Sequence, residues 1–254
     1  MDYKKLQNGS DIRGVALEGI ESQHVNLTET AVRDIGRGFA LWLQKKTGKE
    51  TMQVAVGRDS RLSGETLCNW LCEAMISQGL NVTNFGMAST PAMFMATVTE
   101  GYAFDGTVMI TASHLPFNRN GFKFFTAGGG LEKGDIKEIL EYATSDAVTG
   151  LPAGALTQGA FMDTYAGLLV NKVRTATGAE KPLAGLRIVV DAGNGAGGFY
   201  AAKVLEPLGA NTEGSRYLDP DGSFPNHIPN PEDKTAMAAI TEAVNTNKAD
   251  LGIM

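Results

Sequence analysis

A hydroxyl, an imidazole and an ammonium fall close together in the stretch TVMITASHLPFNRNGFKFF, residues 107–125. Residues 107–111 are almost all apolar or β-branched, the pattern of a central strand buried on both faces. Such a strand delivers Ser113 and His114 at its end. Leu115 to Gly121 then form a turn-rich loop, and a return strand over Phe122–Phe125 brings back Lys123. Period-two alternation sets Phe122 and Phe124 on one face and Lys123 on the other. The arrangement suits chemistry at one rim of a sheet, yet it equally suits a polar hairpin loop with a satisfied serine and a solvated lysine.

The rest of the chain narrows the function class. With 254 residues, 43% hydrophobic and 20% charged, it is long enough for one large domain or two ordinary ones. A net charge of −6 argues against a nucleic-acid surface, which needs clustered Lys and Arg, but leaves room for an anionic small substrate in a locally basic cleft. The N-terminus lacks the apolar core of a signal peptide, and no run of about 18 apolar residues is present to span a membrane, so a cytoplasmic protein is the expectation. Cys68 and Cys72 lie four apart on one predicted helix, and the three histidines, 24, 114 and 227, are scattered. That spacing points to buried structural thiols rather than zinc. His24 is expected in solvent and His227 in a structural role.

Strand-like and helix-like segments alternate, the signature of an α/β fold. The reading is a helix over 28–46 with Val32, Ile35, Phe39 and Trp42 on one face, a strand over 52–56, the cysteine helix and a strand over 81–85. A short helix opens at Ser89-Thr90-Pro91, where the missing proline N–H costs nothing. After the serine loop comes a helix over 133–143. Residues 144–159, rich in Gly, Ala, Ser and Thr, read as a domain junction. The pattern then restarts with a helix over 161–175, a strand over 186–190, a Gly-rich turn, a helix over 198–208 and a strand over 211–216. A last helix is expected with Asn230 as cap and Pro231 in the first position, followed by a buried strand over 249–254. A chain ending at the carboxyl end of a strand, where α/β folds place ligand loops, is expected to be a fragment.

Thr111-Ala112-Ser113-His114-x-Pro116, followed by Asn120-Gly121-Phe122-Lys123, resembles the active-site serine loop of the α-D-phosphohexomutases. Four further segments agree in order: Asp11-Ile12-Arg13-Gly14, residues 57–64 (GRDSRLSG), Ser89-Thr90-Pro91 and residues 190–195 (VDAGNG). The resemblance covers essentially the whole chain and implies two consecutive α/β domains with mixed sheets flanked by helices. These are domain 1 over residues 1–150 with the phosphoserine loop, and domain 2 over 158–254, truncated before the metal-binding loop. One residue departs from the pattern: the family has Asn after the histidine, and here Leu115 stands there. This suits a subgroup whose loop is held by packing.

The family reaction interconverts hexose 1-phosphate and hexose 6-phosphate through a bisphosphorylated intermediate, glucose or mannose 1,6-bisphosphate. The resemblance makes Ser113 the phosphoryl carrier and Lys123 the candidate general acid or base for the sugar hydroxyl. The latter role requires neighbouring cations or burial. Arg13 becomes a bidentate phosphate clamp. Arg58 and Arg61 either bind phosphate or brace the loop through Asp59. His114 either bonds the phosphate or ester oxygen or is a buried, satisfied imidazole. Mg²⁺ would be held by the Ser113 phosphate and three carboxylates lying beyond Met254, so an octahedral oxygen site cannot be assembled from these residues. The C-terminal domains, and with them the loop that reads the sugar, are absent, so phosphomannomutase, phosphoglucomutase and phosphoglucosamine mutase activities are all compatible. An inert half of such an enzyme is a further alternative. Residues 193–198 also fit the dinucleotide fingerprint G-x-G-x-x-G, a weak signal that explains none of the motifs in the first 150 residues.

Overall fold

The computed structural model describes residues 2–49, 51–145 and 152–254. By contacts the chain divides into two compact units. The first holds residues 1–59, 63–112 and 118–160; the second holds residues 60–62, 113–117 and 161–254.

In the first unit the elements are β1 (Gln7–Asn8), β2 (Asp11–Val15), α1 (Glu29–Thr47), β3 (Gln53–Arg58), α2 (Gly64–Ser77) and β4 (Asn81–Met87). They continue with α3 (Thr90–Val98), β5 (Gly106–Ile110), β6 (Arg119–Thr126), β7 (Gly129–Gly130), α4 (Lys133–Ala143) and β8 (Leu156–Gln158). Among the described residues the strands form one mixed sheet in the order β1-β2-β6-β5-β3-β4-β8, with β7 paired to β6. β3, β4, β5 and β8 run parallel, while β6 returns antiparallel between β5 and β2.

Side-chain alternation builds the layers. Val54, Val56, Val108, Ile110, Phe122 and Phe124 join Val32, Ile35, Phe39, Leu67 and Ile139 in one core cluster. Phe39 and Phe124 rings lie 4.8 Å apart. On the opposite face Thr107 donates to the Met93 carbonyl of α3, which thus covers the other side of the sheet. Thr28 caps α1, accepting from the Ala31 amide. Ser89 caps α3 with Pro91 in its first turn. Cys68 and Cys72 are buried with their sulfurs 3.8 Å apart.

The expected domain junction holds one strand among its described residues. Residues 146–151 of it lie outside the described residues. Leu156–Gln158, expected to be irregular, form β8 and extend the sheet beside β4, with the Thr83 and Thr157 hydroxyls bonded at 3.0 Å. A strand this short, with every residue exposed, has no buried face to imprint a period on the sequence.

The second unit contains α5 (Met162–Thr177), β9 (Ile188–Val190), α6 (Lys234–Asn247) and β10 (Leu251–Ile253), with β9 and β10 parallel. Four expectations are corrected here. Residues 211–216 make only isolated bridges, Asn211 to Arg187 and Arg216 to Asp191. A turn at Thr212–Ser215 interrupts them, and the Ser215 hydroxyl, not a strand carbonyl, accepts the Val190 amide. The expected helix over 198–208 begins as a 3₁₀ turn at Ala196–Gly198 and widens to a π segment at Ala201–Leu205. The α6 cap is Asp233, which accepts from the amides of Thr235 and Ala236. Asn230 instead closes the turn before it. Lastly, β10 is not buried: Leu251 and Ile253 are 51% and 38% exposed, while Gly252 faces Ile240 and Val244 of α6.

Candidate functional site

The serine loop spans the gap between β5 and β6, and separate bonds hold its base and its tip. At the base, the Thr111 hydroxyl donates to Asp59 Oδ2 at 2.7 Å and the Asp59 amide donates to the Ile110 carbonyl at 3.1 Å. Fully buried Asn120 donates to the Ser63 hydroxyl at 2.9 Å. Gly121 is required here because a Cβ would stand 2.1 Å from the Ile12 carbonyl oxygen of β2.

The tip belongs to the second unit. Ser113 takes a left-handed backbone, φ 57°, which costs a non-glycine residue about 1 kcal/mol or more. Its side chain and that of His114 are exposed, with Ser113 Oγ 3.4 Å from His114 Nδ1. The imidazole is therefore not the buried one allowed as an alternative. Arg61, only 1% exposed, donates to the carbonyls of Ser113 (2.8 Å), Leu115 (2.7 Å) and Pro116 (2.7 Å). Its guanidinium carbon lies 5.3 Å from the Phe224 ring centre. The expectation for Arg61 was phosphate binding or bracing of the loop through Asp59; its guanidinium bonds the loop backbone. The Leu115 loop is thus held by a guanidinium as well as by packing.

In the first unit, Asp11 brings two candidate residues together. Its Oδ2 accepts from Lys123 Nζ at 2.5 Å and from Arg13 Nη2 at 2.9 Å. Asp11 is 8% exposed and sits on β2. Sequence reasoning assigned Asp11 no role, and expected cations or burial around Lys123. The group that meets the ammonium is this carboxylate, shared with the Arg13 cation. The signal was present in Asp11-Ile12-Arg13, where period two puts the acid and the arginine on the same face of one strand. A small cavity of about 150 Å³ beside them is lined by Ser10, Asp11, Thr90 and Lys123. Arg58 joins neither group: its guanidinium is 3.8 Å from Glu65 at the start of α2.

The glycine-rich turn of the second unit is closed by its own chain. Asp191 Oδ1 accepts from the Gly193 amide at 2.9 Å and lies 3.1 Å from His227 Nε2, while His227 Nδ1 is 2.9 Å from the Ile228 carbonyl. A Cβ on Gly198 would stand 1.9 Å from the Leu218 carbonyl oxygen. Gly198 therefore admits neighbouring backbone and Gly193 the His227 ring, and the turn leads into a 3₁₀ turn rather than a regular helix N-terminus. A dinucleotide pyrophosphate needs both backbone access and such a helix terminus, so the fingerprint reading has no support here. The buried His227 ring meets Asp191 and the Ile228 carbonyl, and His24 is exposed. Among the described residues no group of three or more His, Cys, Asp or Glu is placed to hold a metal ion. No described helix is long and apolar enough to cross a membrane.

The sequence and fold match those of known proteins. Residues 4–148 match the family described as phosphoglucomutase/phosphomannomutase, alpha/beta/alpha domain I, and residues 163–254 match alpha/beta/alpha domain II of the same family. The chain is 33% identical over 244 residues to a phosphoglucomutase of Neisseria gonorrhoeae, covering 96% of this chain and 49% of that protein. It is 34% identical over 221 residues to a phosphomannomutase/phosphoglucomutase of Pseudomonas aeruginosa, covering 84% and 45%. A phosphoglucosamine mutase of Corynebacterium jeikeium is 32% identical over 254 residues, covering 98% and 53%. The crystal structure of a phosphoglucomutase/phosphomannomutase family protein from Burkholderia thailandensis superposes with a TM-score of 0.80 at 28% identity, over 99% of this chain and 52% of that one. The chain belongs to the phosphoglucomutase/phosphomannomutase family. It spans about half the length of the curated relatives it matches.

Proposed function

We propose that this chain supplies the phosphoryl-carrying part of a mutase that interconverts hexose 1-phosphate and hexose 6-phosphate. The observation that carries the reading is Ser113: an exposed hydroxyl in left-handed backbone, on a loop otherwise held by buried bonds. Strain kept at an exposed nucleophile fits a functional site better than a surface turn.

In the forward half-reaction the P–O bond to Ser113 Oγ breaks as a bond forms to the free hydroxyl oxygen of the hexose monophosphate. The hydroxyl proton leaves to a base. The bisphosphate then turns, its other phosphoryl group passes back to Ser113 Oγ, and the isomeric monophosphate departs. No electron donor or second substrate is consumed. Catalysis of this kind depends on positioning and charge neutralisation. Lys123 is the candidate carrier of the sugar-hydroxyl proton: as the ammonium held by Asp11 it can donate to a departing sugar oxygen, and it takes the hydroxyl proton only as the neutral amine. Arg13 and Arg58 take phosphate oxygens, and His114 bonds the ester or phosphate oxygen beside Ser113. The residues described here do not by themselves make a Mg²⁺ site, so no step is drawn through a metal. The chain spans about half the length of its relatives, and the 254 residues alone are predicted to show no turnover. Glucose, mannose and glucosamine phosphates are all candidate substrates.

The test is intact-mass analysis of the complete protein that carries this chain, after incubation with hexose 1,6-bisphosphate. One phosphoryl group is expected, mapped to Ser113 and missing in Ser113→Ala together with mutase activity. Full activity in Ser113→Ala would end this reading.

A further inference from the structure

We propose that Arg61 is a positioning residue for the phosphoserine, and that it acts by gathering the loop's carbonyl groups rather than by touching substrate. This rests on the reading of Ser113 as the phosphoryl carrier. In an extended strand successive carbonyls diverge, so three of them can converge on one point only if the chain curls back. The carbonyls of Ser113, Leu115 and Pro116 all reach one guanidinium at 2.7–2.8 Å. The left-handed turn at Ser113 provides the curl, and Arg61 rewards it with three charge-assisted bonds. A planar fork can meet several carbonyls at fixed angles, which a lysine ammonium on a flexible stem does not reproduce.

Two consequences follow for the reacting atom. The peptide bonds here are trans, so the N–H of His114 points away from the Ser113 carbonyl and hence away from Arg61. Further, the side chain is 1% exposed and both Nη atoms bond loop carbonyls, so the guanidinium is turned to the loop rather than to solvent. Its own seat is built by the segment around Phe224: a Cβ on Gly222 would stand 2.3 Å from the Ser60 carbonyl oxygen and 2.5 Å from the Leu62 nitrogen.

The experiment uses Arg61→Ala and Arg61→Lys in the complete protein, with Ser113→Ala as control. A misplaced Ser113 predicts a kcat lowered about 100-fold in Arg61→Ala with KM within about threefold of wild type. Arg61→Lys should recover little, whereas millimolar guanidinium should restore part of the Arg61→Ala rate in a saturable way and urea should not. Hydrogen exchange at residues 113–118 should speed up in both Arg61 variants but not in Ser113→Ala. Wild-type kcat in either variant, or a loss carried entirely by KM, would overturn the proposal and return Arg61 to the phosphate-binding residues. Should Arg61→Ala fail to fold, Arg61→Lys decides by the same kcat–KM split. Activity surviving in Ser113→Ala would instead remove the reading of Ser113, and the proposal with it.

Discussion

The serine loop and the glycine-rich turn of the second unit are built on the same plan and put it to opposite use. Each follows a strand whose residues are buried, β5 in one case and β9 in the other. Each places a non-glycine residue in left-handed backbone at φ 57°, Ser113 and Asn194. Asn194 is 8% exposed and its side-chain amide is engaged at both ends, donating to the Asp219 carbonyl at 2.9 Å and accepting from Asn226 at 2.8 Å. Ser113 is exposed, with its Oγ 3.4 Å from His114 Nδ1, and its carbonyl is held by Arg61. Left-handed backbone at a strand end is therefore not by itself a mark of function. What separates the two is where the side chain points, and whether backbone or side chain carries the restraining bonds.

Substitutions that exchange these roles test the contrast. The largest effect is expected from Ser113→Gly, which should abolish phosphoryl acceptance in the bisphosphate assay while leaving stability unchanged or up to about 1 kcal/mol higher, since glycine takes positive φ without strain. A marked loss of stability in urea melts would show that the Ser113 side chain is structural after all. Next is Asn194→Ala, which removes two bonds from a buried turn and puts alanine at positive φ. A loss of about 2–4 kcal/mol is expected, with Ser113 exchange unaffected. A near-neutral result would mean the turn is held by Asp191 and His227 alone. The smallest effect is assigned to Thr111→Val at the base of the serine loop. Losing the bond to Asp59 should cost about 1–2 kcal/mol, seen as a lower urea midpoint with unchanged slope.

How much of this was legible beforehand follows from how local each cause is. The β5-loop-β6 hairpin, the buried strand and the opposed faces of Phe122 and Lys123 are written in a period of two. The first four helices start at or within a few residues of where their periodicity and capping residues place them. The second unit was read less well. Asn230-Pro231 has the composition of a helix start, yet Asp233 caps α6 because its carboxylate reaches two amides at once. Residues 211–216 have strand composition, yet the Ser215 hydroxyl replaces a ladder acceptor and the strand breaks.

The sequence by itself determined the α/β class, the element order through the first unit and the serine presented between a buried strand and a returning lysine. These depend on neighbours along the chain, so spacing encodes them. Only the tertiary structure decided that Asp11 unites Arg13 with Lys123, and that Arg61 takes hold of carbonyls more than fifty residues away. It also decided that Gly198 makes room for the Leu218 carbonyl and Gly193 for the His227 ring. A guanidinium is the same donor whether it meets a phosphate or three carbonyls; which one it meets is set by the pairing of distant strands and the packing of loops.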